Sequence, residues 1–146
     1  MAKGLGNNYR LWLETTTPGT YAQILGGQNL AISRSGAVID TSTKDDYPYG
    51  SQAPGLKQVQ IQCEFIPNLP DATGYTRLET LINATTPAPF NVQIRKGGAA
   101  GAGTDVVFQG SMYGTSLNHS LNQNDSAKVS VTLVSASAPT TDVMAI

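Results

Sequence analysis

Residues 58–65 read Gln58-Val59-Gln60-Ile61-Gln62-Cys63-Glu64-Phe65. Apolar and polar side chains alternate without a break, and in an extended chain successive side chains point to opposite faces. This stretch is therefore a strand with Val59, Ile61, Cys63 and Phe65 toward a core and Gln58, Gln60, Gln62 and Glu64 away from it. A helix would scatter those four apolar groups around its circumference.

The same period recurs along the chain. Tyr9, Leu11 and Leu13 alternate with Arg10, Trp12 and Glu14. Phe90, Val92 and Ile94 alternate with Asn91, Gln93 and Arg95, and Val129, Val131 and Leu133 with Ser130 and Thr132. Val106, Phe108 and Met112 are expected on one face opposite Gln109, Ser111 and Tyr113, and shorter strands are expected at 21–25 and 29–33. One segment changes period: Tyr75, Leu78, Leu81 and Ile82 form a single stripe at helical spacing, predicting a helix over about residues 73–84. Asp71 or Thr73 is the expected cap, and Pro87 and Pro89 stop the helix before the next strand. So short a helix must dock on a sheet to be stable. The expected fold is mainly β, an antiparallel sandwich or barrel with one flanking helix.

Punctuation completes the outline. Asn122-Gln123-Asn124-Asp125 is rich in Asx-turn formers and predicts a hairpin. Gly97–Gly103 is a small-residue connector. Thr41–Gly55 contains no Leu, Ile, Val, Phe or Met although it lies between two strands, and unstructured loops of that length are usually functional. The expectation is one domain over residues 1–146, with an extended loop or arm at 41–55 and terminal arms at 1–8 and 136–146.

The chain has 146 residues, of which 13 % are charged, with a net charge of −1, whereas 11 Ser, 16 Thr, 9 Asn and 9 Gln supply a neutral polar surface. Soluble domains typically carry about 25 % charged residues. Interface cores are depleted in Lys, Glu and Asp, so a charge-poor surface suggests packing against copies of the same chain; adhesive β-domains share such surfaces. Scattered Lys and Arg provide no footprint for high-affinity nucleic-acid binding. One Cys and one His make a protein-only zinc site implausible. No targeting segment is read at the N-terminus and no run of about 18–20 apolar residues suggests a membrane span, so a cytoplasmic site of synthesis is expected.

Catalytic motifs are not found. Cys63 falls on the core face of its strand, where a reactive thiol is unexpected, and His119 reads as a surface or turn residue. Gly110-Ser111-Met112-Tyr113-Gly114 has the wrong spacing for a nucleophile elbow. The glycine run lacks the lysine of a phosphate loop and leads into a strand. Asp40, Asp45 and Asp46 match no calcium loop and have Lys44 beside them. The dispersed Glu14, Glu64 and Glu79 suggest no acid pair. Neither an enzyme nor a cofactor is expected.

The loop then carries the most information. Tyr47-Pro48-Tyr49 places two amphipathic aromatics on a stiffened turn, flanked by Asp40, Lys44, Asp45 and Asp46, as in a contact surface. The Gln58, Gln60, Gln62 and Glu64 row is either a solvated face or a neutral wall turned toward a channel or a neighbouring subunit.

The order of elements resembles that of the major tail (tail tube) proteins of long-tailed bacteriophages of the siphophage type. The resemblance rests on a strand ending Ala37-Val38-Ile39-Asp40-Thr41-Ser42 before a long hairpin arm, then Gly55-Leu56-Lys57-Gln58-Val59 entering a strand that ends Glu64-Phe65-Ile66-Pro67-Asn68. Pro70-Asp71 and the one helix follow, then Phe90-Asn91-Val92-Gln93-Ile94, Val107-Phe108-Gln109-Gly110 and Val129-Ser130-Val131-Thr132-Leu133-Val134. It spans about residues 30–135. The resemblance implies a structural virion protein that stacks as hexameric rings into a hollow tube, the conduit for the genome, with strands of six subunits joined into an inner barrel. It implies that 41–55 and the terminal arms contact neighbours, and that the partners are other copies, the tape-measure protein, the tail terminator and distal tail or baseplate proteins. DNA would pass without specific binding, no membrane is involved, and the site is the virion tail, assembled in the host bacterial cytoplasm. The competing readings are another ring-forming phage tail or head-completion protein, or a non-catalytic β-sandwich module for carbohydrate.

Overall fold

The computed structural model describes residues 9–98 and 105–143. The strands are β1 (Arg10–Glu14), β2 (Tyr21–Gln23), β3 (Gly27–Asp40), β4 (Gln52–Phe65), β5 (Phe90–Arg95), β6 (Val106–Ser120), β7 (Lys128–Ser135) and β8 (Thr141–Asp142), with helix α1 (Tyr75–Ile82) between β4 and β5. They form one eight-stranded sheet in the order β2-β1-β5-β6-β7-β4-β3, with β8 also on β6, and each pairing is antiparallel.

β6 makes the sheet fold over. Its first part, to Met112, pairs with β5, and its second part, from Met112 to Ser120, pairs with β7. A register shift between Gly114 and Ser116 marks a bulge just past that junction, the device by which a strand bends from one layer into another. Leu11, Leu13, Val92 and Ile94 of one layer and Ile61, Phe65, Val131 and Leu133 of the other meet in a single buried cluster. This is the expected sandwich, with Val59, Ile61, Cys63 and Phe65 all buried inside it.

The helix occupies 75–82, shorter at both ends than the expected 73–84, and its N-cap is Gly74 rather than Asp71 or Thr73. Asp71 nevertheless satisfies the helix end. Its buried carboxylate accepts the Tyr75 N–H at 3.1 Å and the Leu25 N–H at 3.2 Å, tying the helix start to the chain after β2. Leu78 is fully buried. Ile82 lies so close to Gly114 that a Cβ there would sit 2.4 Å from Ile82 Cγ1. Glycine at this position lets the helix lie directly on β6.

Four sequence expectations change. β3 and β4 are each 14 residues long, so the 41–55 segment is strand-paired from Gln52 onward and only 41–51 forms the loop. The alternation at Val106 breaks at a register shift between Ile94 and Arg95, where Val107 is buried next to Phe108. β6 continues to Ser120, so His119 lies on a strand rather than in a turn, exposed as a surface residue would be. The stretch 136–143, expected as a free arm, lies along β6 with Thr140 N–H donating to the Gln109 carbonyl and Val143 N–H to that of Val107. The hairpin turn at 122–125 forms as expected, with Asn124 at φ 63°. The expected N-terminal arm (1–8), most of the glycine connector and the last three residues lie outside the described residues.

Candidate assembly interface

The β3–β4 hairpin is built in two parts. From Gln60 to Phe65, β4 is paired on both sides, with β3 and with β7. Before Gln60 it has only β3, so residues 35–58 extend as a two-stranded arm. A bulge lies at its root: Gly36 faces Lys57 and Val38 faces Pro54, so β4 has one residue more than β3 between these rungs. At Gly55 a Cβ would come within 2.9 Å of the Ala37 Cβ and 3.0 Å of its carbonyl oxygen, so the bulge needs glycine there.

The arm tip is ordered by its own Ser, Thr and Asp side chains. Thr41 and Ser51 hydroxyls lie 2.9 Å apart, Ser51 N–H donates to Ser42 Oγ at 2.7 Å, and Ser42 Oγ donates to the Ser51 carbonyl at 3.0 Å. Asp46 accepts the Thr43 N–H at 2.7 Å across a single 3-10 turn at Lys44–Asp46. Ser42 hydrogen bonds to Asp40 hold that carboxyl below its ordinary pKa. On this scaffold Tyr47 and Tyr49 are 89 % and 86 % exposed. Val38, Ile39 and Leu56 of the shaft are exposed as well. The seven tip residues named from the sequence, Asp40, Lys44, Asp45, Asp46, Tyr47, Pro48 and Tyr49, thus share one projecting element.

Three hydrogen bonds fasten the arm root to the end of β7 and the C-terminal stretch. Val59 N–H donates to Ser135 Oγ at 3.1 Å. Arg34 grips Asp142 with two donors, Nε to Oδ2 at 2.7 Å and Nη2 to Oδ1. The Arg34 hydrogen bond lowers the Asp142 pKa, and the same bond raises that of Arg34. Neither residue stood out in the sequence, because they are 108 positions apart with no local pattern joining them.

The second feature is the outer face of the β3-β4-β7-β6 layer. Gln58, Gln60, Gln62 and Glu64 do lie opposite the buried row. Cross-strand pairing sets Gln62 between Ala31 and Thr132, Glu64 between Asn29 and Ser130, and Gln60 between Ser33 and Val134, with Ser116 and Asn118 of β6 beyond. The result is a neutral amide and hydroxyl wall. Its one central carboxylate, Glu64, accepts from Asn29 Nδ2 at 2.9 Å. Both edges of this layer are open among the described residues: β3 ends the sheet, and the side of residues 114–120 away from β7 has no strand partner. The other layer's outer face is closed instead. Arg95 stacks 4.2 Å over the Trp12 ring and donates to Gln93, which donates to Gln109.

Cys63 is buried, which pushes its thiol pKa up to about 12. His119, exposed near the end of β6, has its Nε2 2.8 Å from the hydroxyl of Tyr75 at the helix start. Among the described residues no three His, Cys, Asp or Glu side chains gather as metal ligands. No described helix is long and apolar enough to cross a membrane. An open cleft of about 740 Å³ between the layers is lined by residues such as Tyr9, Arg10, Leu30, Ile32 and Phe108, none of them from 41–55.

A family model described as "Phage tail tube protein" matches residues 6–141. The chain belongs to this tail tube family. Its role is accordingly structural, in a tail tube. The fold recurs in solved assemblies at low identity. A chain from the tail of an empty gene transfer agent particle, refined helically with C6 symmetry, matches with TM-score 0.74 and 16 % identity over 97 % of this chain and 100 % of that one. The SPP1 tail tube matches with TM-score 0.69 and 11 % identity, over 97 % of this chain and 81 % of that chain. A chain of the anti-feeding prophage baseplate, symmetrised sixfold, gives TM-score 0.64 and 10 % identity, over 91 % of each chain. No curated protein sequence matches the chain.

Proposed function

We propose that this chain assembles with copies of itself into stacked hexameric rings that form a hollow phage tail tube, through which the genome leaves the virion. The observation that carries the reading is the four-stranded layer β3-β4-β7-β6 with two unpaired edges and a neutral polar face. Because its strands are four and antiparallel, its two edges run in opposite directions. A copy related by rotation about an axis along the strands keeps its strand directions, so its β6 edge meets β3 antiparallel. Edge-to-edge pairing then closes into a barrel and leaves no open edge, which is the usual hazard of an exposed strand. Six copies supply about 24 strands, and at ~4.8 Å spacing and ~40° tilt these close on a backbone circle roughly 48 Å across, wide enough for duplex DNA.

Gln58, Gln60, Gln62 and Glu64 would face the bore. Each phosphate neutralised by Lys or Arg releases counterions and adds affinity, so a conduit works best with a wall that offers DNA few cations. The arm, with Tyr47 and Tyr49 at its tip, would contact the neighbouring ring. The role is structural rather than catalytic, and the chain would reside in the virion tail after assembly in the host cytoplasm. Its other partners would be the tape-measure protein, the tail terminator and distal tail proteins. Negative-stain electron microscopy across a concentration series tests the reading. Hollow tubes with sixfold end views are expected; a chain that remains monomeric throughout contradicts it.

A further inference from the structure

The arm needs a place to land, and the charge ledger points to one. Among the described cations, Arg34 is paired with Asp142, Arg77 donates to the Glu14 carbonyl, Lys128 faces Asp125, and Arg10, Arg95 and Lys96 have partners. Lys44 and Lys57 are left with none. Among the described acids, Asp45 is the one left over: Glu14, Asp40, Asp46, Glu64 and Asp71 accept hydrogen bonds, Glu79 interacts with Tyr75, and Asp105 has a partner. Asp45 is at the arm tip and Lys57 at the arm root. Four rungs of strand, at least ~14 Å, separate them within one copy.

Lys57 borders a groove of about 640 Å³ between the arm root and the C-terminal stretch. Small or flat residues, Gly36, Ala136, Ala138 and Pro139, are part of its lining. The Arg34–Asp142 pair and the Val59–Ser135 bond hold the walls together. Such a surface suits aromatic rings, and the arm tip presents two exposed tyrosines beside Asp45. We infer that this groove seats the arm tip of a second copy, with Asp45 of one chain facing Lys57 of the next and Tyr47 and Tyr49 lying on the Ala136–Pro139 wall. The inference rests on the tube reading and names the contact that joins rings. Each copy offers a tip and a groove, so the contact is heterologous, and made between successive rings it extends along the tube axis.

Charge reversal tests it. Lys57→Glu and Asp45→Lys, both in exposed positions, should each lower the pelletable tube fraction by about tenfold, because like charges then face each other. The double variant should return it to near wild type. Tubes formed normally by both single variants, or a double variant as defective as either single, would overturn the seat while leaving the tube reading intact. In a second arm, oxidised tubes of a Asp45→Cys, Lys57→Cys chain should run as a ladder of cross-linked multimers, and the absence of a ladder contradicts the contact. A wild-type protein that never forms tubes overturns the tube reading, and the seat with it.

Discussion

The inner and outer halves of the β3–β4 hairpin obey the same backbone rules but meet opposite fates. In the inner half, Ile61, Cys63 and Phe65 are buried against the opposing layer, and Gln60, Gln62 and Glu64 form the polar outer wall. In the outer half, Val38, Ile39 and Leu56 have no layer beneath them and remain exposed, Leu56 at 89 %. Burying such side chains is worth about 1.5–3 kcal/mol each. Within one copy nothing collects that free energy. The inner half therefore stabilises the chain, and the outer half is available to stabilise an assembly.

The difference can be broken outright. Deleting Lys44–Gln52 should leave a monomer with unchanged circular dichroism and a near-normal melt, yet abolish tubes in the electron microscope. Normal tubes from the deletion variant would refute the division of labour. Leu133→Ala, at a fully buried inner position, should cost about 2–5 kcal/mol in chemical denaturation. Gly114→Ala pushes a methyl into Ile82 and should cost about 1–3 kcal/mol as the helix lifts from β6. Leu56→Ala should shift stability by no more than about 0.5 kcal/mol while raising the protein concentration at which tubes appear.

The smallest effect concerns the arm root. The Asp142 pKa is lowered in the folded state, so its stabilising contribution is present above the unfolded value and is lost as pH falls through the lower folded one. The side chains are 45 % and 25 % exposed, so the pair should contribute about 1 kcal/mol or less. Asp142→Asn should therefore remove a small part of the stability at neutral pH, and the difference from wild type should shrink below about pH 4. A difference that persists in acid would contradict this assignment.

What could be read in the sequence follows from what side-chain period encodes. The row from Val59 to Phe65 had to have one buried face, and the stripe Tyr75, Leu78 and Ile82 had to dock. Strand length was hidden where few side chains meet the core: Gln52–Lys57 pair through their backbones with no layer beneath, and Gly114–Ser120 place a single apolar side chain, Leu117, against it. The bulge at Val107 moved the apolar face by one residue, which spacing alone cannot reveal. The Tyr47–Tyr49 tip was visible because aromatics stood among acids and small residues. Its hydrogen-bonded scaffold was legible only as Ser and Thr of unspecified role. Arg34, Asp142 and the Arg95–Trp12 stack were invisible, since tertiary folding alone brings them together.

A helical reconstruction of assembled tubes by electron cryomicroscopy would show directly which layer faces the bore and which edges pair. The expected map has a bore lined by Gln60 and Gln62, with β3 of each copy hydrogen-bonded to residues 114–120 of the next. Tubes in which this layer faces outward, or in which β3 remains unpaired, would contradict it.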